Sequence, residues 1–147
     1  MILTEALLGE HAVFYAQFDH LVQTVPGVGD LTIIQAQTAL IASALATHAQ
    51  LEEDLLFKAL DPHLGEMGPL AVMRMEHQEI ESTLEQILNL EDLGEAKQNL
   101  LHVVHLAREH FAKEEQVLYP MASKVLGSEQ LTMLGEQWAE RRSVSVH

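Results

Sequence analysis

The sequence contains no cysteine. Disulfide bonds, thiolate metal sites, iron–sulfur clusters and cysteine nucleophiles are therefore excluded. Basic residues are also few: eight lysines and arginines stand against 22 acidic residues, which gives a formal net charge of −14. Because so few cations cannot neutralise phosphate groups, this balance argues against nucleic acid and anionic membrane surfaces as partners. It favours a protein that tolerates bound cations.

Long apolar runs are missing as well. No stretch approaches the roughly 20 residues needed to span a bilayer. The first residues, Met1 to Glu5, have no basic region before their short apolar run, so we expect no secretory signal and a cytoplasmic protein. A length of 147 residues with 48% apolar side chains predicts a single globular domain over residues 1–147.

Helical periodicity dominates the chain, and strand-like alternation of useful length is missing. Breaks rich in proline, glycine and aspartate predict helices at about 3–24, 31–60, 69–90, 93–125 and 128–142. Four long helices with short connections predict an all-α, up-down-up-down four-helix bundle over about 3–125, with a short fifth C-terminal helix. That last helix, with Leu131, Leu134 and Trp138 on one face, either caps the bundle or forms a dimer contact. A monomer and a homodimer both stay open.

Nine histidines are more than an ordinary domain carries. When the apolar stripe of each long helix is followed at about 100° per residue, every stripe contains one histidine. In three stripes a glutamate follows one turn later. The residues concerned are His11, His48, Glu52, His77, Glu81, His110 and Glu114. A carboxylate in a core costs several kcal/mol unless it is paired, protonated or bound to a cation, so three of them predict a metal site.

The spacing supports this interpretation. Nine histidines in this chain should give about one His-x-x-x-Glu pair by chance, whereas the chain contains four. The fourth pair, His105 and Glu109, lies about 140° from the stripe and is interpreted as a surface pair. His20, His63 and His147 are also interpreted as surface residues. Counting from the helix ends places the four stripe histidines near one cross-section of the bundle.

Imidazole and carboxylate ligands together suit iron, zinc or manganese better than calcium or magnesium. The alternative is a network of His–Glu hydrogen bonds without metal. Tyr15 lies one turn after His11 and is interpreted as a core residue; the alternative is that its hydroxyl hydrogen bonds to a metal ligand or to a bridging oxygen. Glu115 is interpreted as a solvated acid.

Four segments carry a resemblance to a known family. They are Glu10-His11 in the first helix, His48 to Glu52 in the second, Glu76-His77 in the third, and the run from His110 to Pro120 in the fourth. In their order and spacing these segments resemble the hemerythrin-like family, the His-His-Glu (HHE) cation-binding domains. The resemblance covers the four main helices, which are most of the chain.

The resemblance implies two iron ions joined by two carboxylates and an oxo or hydroxo bridge. It assigns His11 and His48 to one iron and His77 and His110 to the other. Glu52 and Glu114 would be the bridging carboxylates, and zinc or manganese would be possible substitutes for iron.

Two positions depart from the family's oxygen carriers. Those proteins have His-x-x-x-His in the third helix, where this chain has Glu81 after His77. They place the last carboxylate five residues after its histidine, where this chain offers Glu114 at four and Glu115 at five. We favour Glu114 because Glu115 lies off the stripe. Glu81, if it ligates, would add negative charge and lower the reduction potential, which argues against reversible oxygen carriage.

Three functions follow. The first is a di-iron protein that binds or senses O2 or a related small diatomic molecule. The second is a di-iron redox enzyme that acts on peroxide, O2 or NO. The third is a metal-free or zinc-bound helical interaction module. The sequence leaves open whether the protein is an enzyme.

Overall fold

The computed structural model describes residues 1–65 and 67–145, and this part of the chain forms helices and turns without a strand. The all-helical class is therefore confirmed. Six α-helices follow one another: α1 Leu3–Thr24, α2 Leu31–Leu51, α3 Lys58–Leu64, α4 Pro69–Leu88, α5 Leu93–Lys113 and α6 Tyr119–Arg141. A 3-10 turn, Val25–Gly27, follows α1.

Two aspartates from the predicted breaks cap the helices that follow them. The side chain of Asp30 accepts a hydrogen bond from the backbone N–H of Thr32 at 2.9 Å, at the start of α2. Asp92 accepts one from the N–H of Glu95 at 3.2 Å, at the start of α5. Each bond satisfies a backbone donor that has no partner inside its helix.

Two of the predicted long helices are interrupted. The predicted helix 31–60 passes through a π-helical segment, Glu52–Phe57, between α2 and α3. The predicted helix 93–125 passes through another, Glu114–Leu118, between α5 and α6. Such segments are rare and occur frequently at functional sites. Both begin at a glutamate that was predicted to bind metal.

The predicted fifth helix is not confirmed as a separate element. The structure has one element there, α6, in which Gly127 has a positive φ of 78° at the predicted break. Beyond it, Leu131 and Leu134 are buried in the same apolar cluster as the start of α1. Gly135 permits this packing, because a Cβ there would lie 2.2 Å from the backbone oxygen of Met1.

Two apolar clusters form the core. One joins the later part of α1 and the early part of α2 with the later part of α4 and much of α5; it includes Phe14, Phe18, Ile41, Leu84 and Val103. The other joins the start of α1, the end of α2 and the start of α4 with residues after α5; it includes Leu7, Leu51, Met73 and Leu118. Along α1 and α4, His11 and His77 lie between the two clusters, and the other predicted ligands except Glu81 lie at the boundary between them.

No described helix is long and apolar enough to cross a membrane.

The helices that contact each other most are α4 with α5, α1 with α6, and α2 with α4. The up-down-up-down order stays a prediction.

Candidate metal centre

Six of the seven predicted ligands come together between the clusters. They form two groups in which one possible ligand atom from each residue lies within 4.8 Å of the others. The first group is His11, His48, Glu52 and Glu114; the second is Glu52, His77, His110 and Glu114. The two glutamates belong to both groups.

In the first group, two imidazoles face each other. Nε2 of His11 lies 3.2 Å from Nε2 of His48. Two nitrogen ligands at about 2.1 Å from one ion and at right angles would be about 3 Å apart. Nε2 of His11 is also 3.3 Å from Glu114, and Nε2 of His48 is 3.0 Å from Glu52. All four residues are buried, with 1% exposure or less.

The second group is slightly more open. Nε2 of His77 lies 3.7 Å from Glu52, and Nε2 of His110 lies 3.5 Å from Glu114. The two imidazole rings are 4.5 Å apart, centre to centre. The His77 side chain is 16% exposed, whereas that of His110 is 2% exposed.

Three histidines hydrogen bond through their other ring nitrogen to a carboxylate. Nδ1 of His48 lies 2.7 Å from Glu10. Nδ1 of His11 lies 2.8 Å from Glu115, and Nδ1 of His110 lies 2.9 Å from Glu76. A proton held on Nδ1 leaves the lone pair of Nε2 for a metal ion. In each ring, Nε2, the nitrogen that would bind a metal, is on the side of the two glutamates.

Glu10, Glu76 and Glu115 were not predicted to have these roles, and the interpretation of Glu115 as a solvated acid was wrong. The sequence does contain a signal for them, because each is the immediate neighbour of a predicted ligand. One residue along a helix rotates the side chain by about 100°, toward the adjacent helix. Each glutamate accordingly reaches a histidine on another element.

Two tyrosines also contact residues of the site through their hydroxyl groups. The hydroxyl of Tyr119, which is buried, donates to Glu52 at 3.0 Å and lies 3.2 Å from Nε2 of His11. Tyr15 is half-buried, and its hydroxyl donates to Glu115 at 2.6 Å. Tyr15 therefore interacts with a carboxylate that contacts His11 and is not simply a core residue.

The two buried glutamates influence each other's protonation. Burial and the nearby charge of Glu52 raise the pKa of Glu114 well above its usual value. Burial alone would also raise the pKa of Glu52, but its interactions with the neighbouring Glu114 and His48 hold it below its usual value. Without a cation, Glu114 therefore holds a proton more readily than Glu52 does.

Buried polar atoms that lack a hydrogen-bond partner show whether these residues fit a metal ion. In residues 1–65 and 67–145, five buried side-chain polar atoms have no hydrogen-bond partner of acceptable geometry. Four of them belong to this site: Oε1 of Glu52, Nε2 of His110 and both carboxylate oxygens of Glu114. Unpartnered buried polar atoms are costly, and cations coordinated there would satisfy them.

Glu81 is the predicted ligand that the structure does not bring into either group. Its side chain is exposed. The buried face of α4 runs through Met73, Ile80 and Leu84, which leaves Glu81 at its edge. Its predicted role as a ligand gains no support from this arrangement.

The surface histidines lie where they were predicted. His105 and Glu109 form a pair at 3.2 Å with side chains 66% and 58% exposed. His20 and His63 are exposed as well. His147 lies outside the described residues.

A small cavity of about 40 Å³ adjoins the centre. Three histidines, His48, His77 and His110, contribute to its wall, and the remaining lining is mostly apolar: Ala42, Leu45, Ala46, Ala49, Ile80, Leu84 and Phe111, with Glu81 beside them. Its volume suits one molecule of two or three heavy atoms.

Fold and site together define an all-helical protein with paired histidine and glutamate groups suited to cations. A family model for the hemerythrin HHE cation-binding domain matches residues 2–130. The chain belongs to this family, which confirms the resemblance. No curated protein and no solved structure matches the chain.

Proposed function

We propose that the chain is a non-haem di-iron protein of the hemerythrin type, which binds or senses O2 or a related small molecule at a carboxylate-bridged di-iron centre. One observation carries the proposal. Two histidine pairs flank the same two buried glutamates, and the unpartnered polar atoms of the site point to cations between them. Two cations would also offset the two buried carboxylates.

His11 and His48 would hold one iron, and His77 and His110 the other. Glu52 and Glu114 would bridge the pair. The mixture of imidazole and carboxylate favours iron, with zinc or manganese as substitutes. Bound iron would supply one-electron redox chemistry and a coordination position for a small molecule.

The cavity beside the histidines supports a small diatomic ligand or peroxide. Its walls are mostly apolar, and its volume of about 40 Å³ suits a molecule of a few heavy atoms. Such a volume disfavours larger organic substrates at this position.

We also propose the up-down-up-down order for the helices that carry the site. The apolar cluster that includes Phe14, Ile41 and Leu84 joins the late part of one helix to the early part of the next, both for α1 with α2 and for α4 with α5. Such pairing is what antiparallel neighbours produce.

A di-iron redox enzyme acting on peroxide, O2 or NO is the second candidate, and Tyr119 favours it. Its buried hydroxyl holds a proton 3.0 Å from Glu52. Burial and the charges of Glu52 and Glu114 raise the pKa of this phenol, so the proton stays on it at neutral pH. A hydrogen-bond donor beside the centre would orient a bound peroxide or oxygen ligand and stabilise negative charge that develops on it.

An anaerobic-to-air optical titration of the iron-loaded protein tests these functions. An absorption band that forms in air and disappears under vacuum supports reversible binding. Turnover of peroxide or NO supports the enzyme. A protein that binds no iron and changes its spectrum under neither condition contradicts both, and favours an interaction module.

A further inference from the structure

The four histidines differ in the hydrogen bonds that orient their rings and in their exposure to solvent. A carboxylate hydrogen bonds to Nδ1 of His11, His48 and His110. Among the described residues, no carboxylate does so for His77. His77 is also the most exposed of the four, at 16%, whereas the others are at 1–2%. The ring of His77 is positioned by stacking on Phe57, with ring centres 5.6 Å apart.

His77 lies where the site opens to the surface. The small inner cavity and a larger open cleft of about 560 Å³ between α2 and α4 share four lining residues: Ala46, Ala49, His77 and Glu81. The inner cavity also contains His110, whose buried Nε2 has no hydrogen-bond partner. A cation in the outer cleft would therefore pass Glu81 and His77 to reach an unpartnered nitrogen.

Glu81 differs from the other carboxylate of the cleft. Glu53 is bound by Arg74, whose Nε donates to it at 3.0 Å. Glu81 is exposed and makes neither a hydrogen bond nor an ion pair with any residue in 1–65 and 67–145. Its carboxylate is thus available to a passing cation, one helical turn after His77.

We propose that the cation at the His77 and His110 position is the exchangeable one of the pair, and that it enters and leaves through this cleft with Glu81 as a transient ligand. The cation between His11 and His48 is retained, because both of its histidines are hydrogen bonded to carboxylates. This inference rests on the proposed two-ion centre and assigns different exchange rates to its two positions. It gives Glu81 a role in uptake in place of a permanent ligand role.

The experiment follows iron release from the anaerobic, fully ferrous protein into an excess of a coloured ferrous chelator. Release occurs in two phases of equal amplitude, the first about tenfold or more faster, because a histidine without a hydrogen-bonded carboxylate binds metal more weakly. His77→Ala retains one iron per chain and shows the slow phase alone. Its iron content, measured before chelation, identifies the position that empties first.

Matched variants test the route. Glu81→Gln slows the fast phase and iron uptake by about threefold or more, and leaves the slow phase and the saturated iron content unchanged. Glu85→Gln removes the same charge from an exposed position of α4 outside the cleft and changes neither phase. Ala46→Leu narrows the cleft and also slows the fast phase, whereas Ala36→Leu, elsewhere on α2, does not.

The failures are distinguishable. Release of two irons in a single phase overturns the inference and leaves the proposed centre intact. The inference is also overturned, with the proposed centre intact, if neither Glu81→Gln nor Ala46→Leu slows the fast phase relative to its control, Glu85→Gln or Ala36→Leu. A protein that binds no iron overturns the proposed centre and the inference with it.

Discussion

The carboxylate of Glu10 lies 2.7 Å from Nδ1 of His48, so a residue of α1 fixes a predicted metal ligand of α2. The same carboxylate accepts hydrogen bonds from Trp138 at 2.6 Å and from Arg142 at 2.9 Å. Although burial would raise the pKa of Glu10, these bonds lower it to about 2. The C-terminal end of the described chain thereby supports the orientation of His48.

Glu10→Gln tests this support. The neutral amide is a weaker acceptor than the carboxylate, so His48 becomes a poorer ligand, and iron affinity falls by about tenfold or more. A competition titration against a ferrous chelator measures the change. Glu5→Gln, an exposed change on the same helix, leaves the affinity unaltered. Equal affinities for the two variants would show that Glu10 does not act through His48.

The bridging roles predict a loss of iron when either shared glutamate is truncated. Glu52→Ala and Glu114→Ala should each lose at least one iron per chain and lower the melting temperature of the iron-loaded protein. Metal analysis and thermal unfolding measure both effects. Glu109→Ala is the matched control, because it also removes a glutamate four residues after a histidine, but from an exposed pair. His105→Ala should likewise leave the iron content unchanged. Unchanged iron in both Glu52→Ala and Glu114→Ala would refute the bridging roles.

The metal-free protein should lose stability as the pH rises from about 6.5 to 9. Burial opposes protonation of His48, but the carboxylates of Glu52 and Glu10 raise its pKa to about 9, from an ordinary value of 6.5. A raised folded-state pKa stabilises the fold below the unfolded value, and this contribution disappears as the pH passes the folded one. The raised pKa of Glu114 acts in the same direction.

Thermal unfolding at pH 6.5, 8 and 9 measures this dependence. In iron-saturated protein the slope should be smaller, because the metal occupies Nε2 of His48 and keeps Glu114 ionised. A metal-free protein that becomes more stable over this range would contradict the arrangement of charges described for the site.

The small cavity predicts a steric effect on ligand binding. Ala42→Leu places a larger side chain in the cavity wall and should slow the reaction of the ferrous protein with NO, without changing its iron content. Stopped-flow absorbance measures the rate. Ala36→Leu, which lies outside this wall, is the control. An unchanged rate in Ala42→Leu would mean that small molecules reach the centre elsewhere.

Sequence periodicity predicted the parts of the site that depend on one helix at a time. His11, His48 and His110 lie on apolar stripes, and counting at about 100° per residue is enough to place them inside. Glu52 and Glu114 follow their histidines on the same faces. The predicted burial of these five side chains is confirmed, because burial on a helix is set by its own periodicity.

What depends on the neighbouring helix was not predictable in this way. Glu115 lies off its stripe, yet it reaches His11 because α1 passes beside it. Glu81 lies at the edge of the buried face of α4, next to the buried Ile80. Whether a side chain at this edge is exposed depends on how α4 is rotated about its axis relative to α2. The π-helical segments at Glu52 and Glu114 were not predicted, because apolar periodicity indicates a helix but does not distinguish a π-helical turn from an α-helical one.

Metal analysis of protein purified without added metal tests the central claim most directly. Two histidine pairs around two shared, buried glutamates predict about two iron atoms per chain, together with an optical spectrum of ferric iron. A protein that contains no metal, or a single zinc ion, while remaining folded would contradict the account.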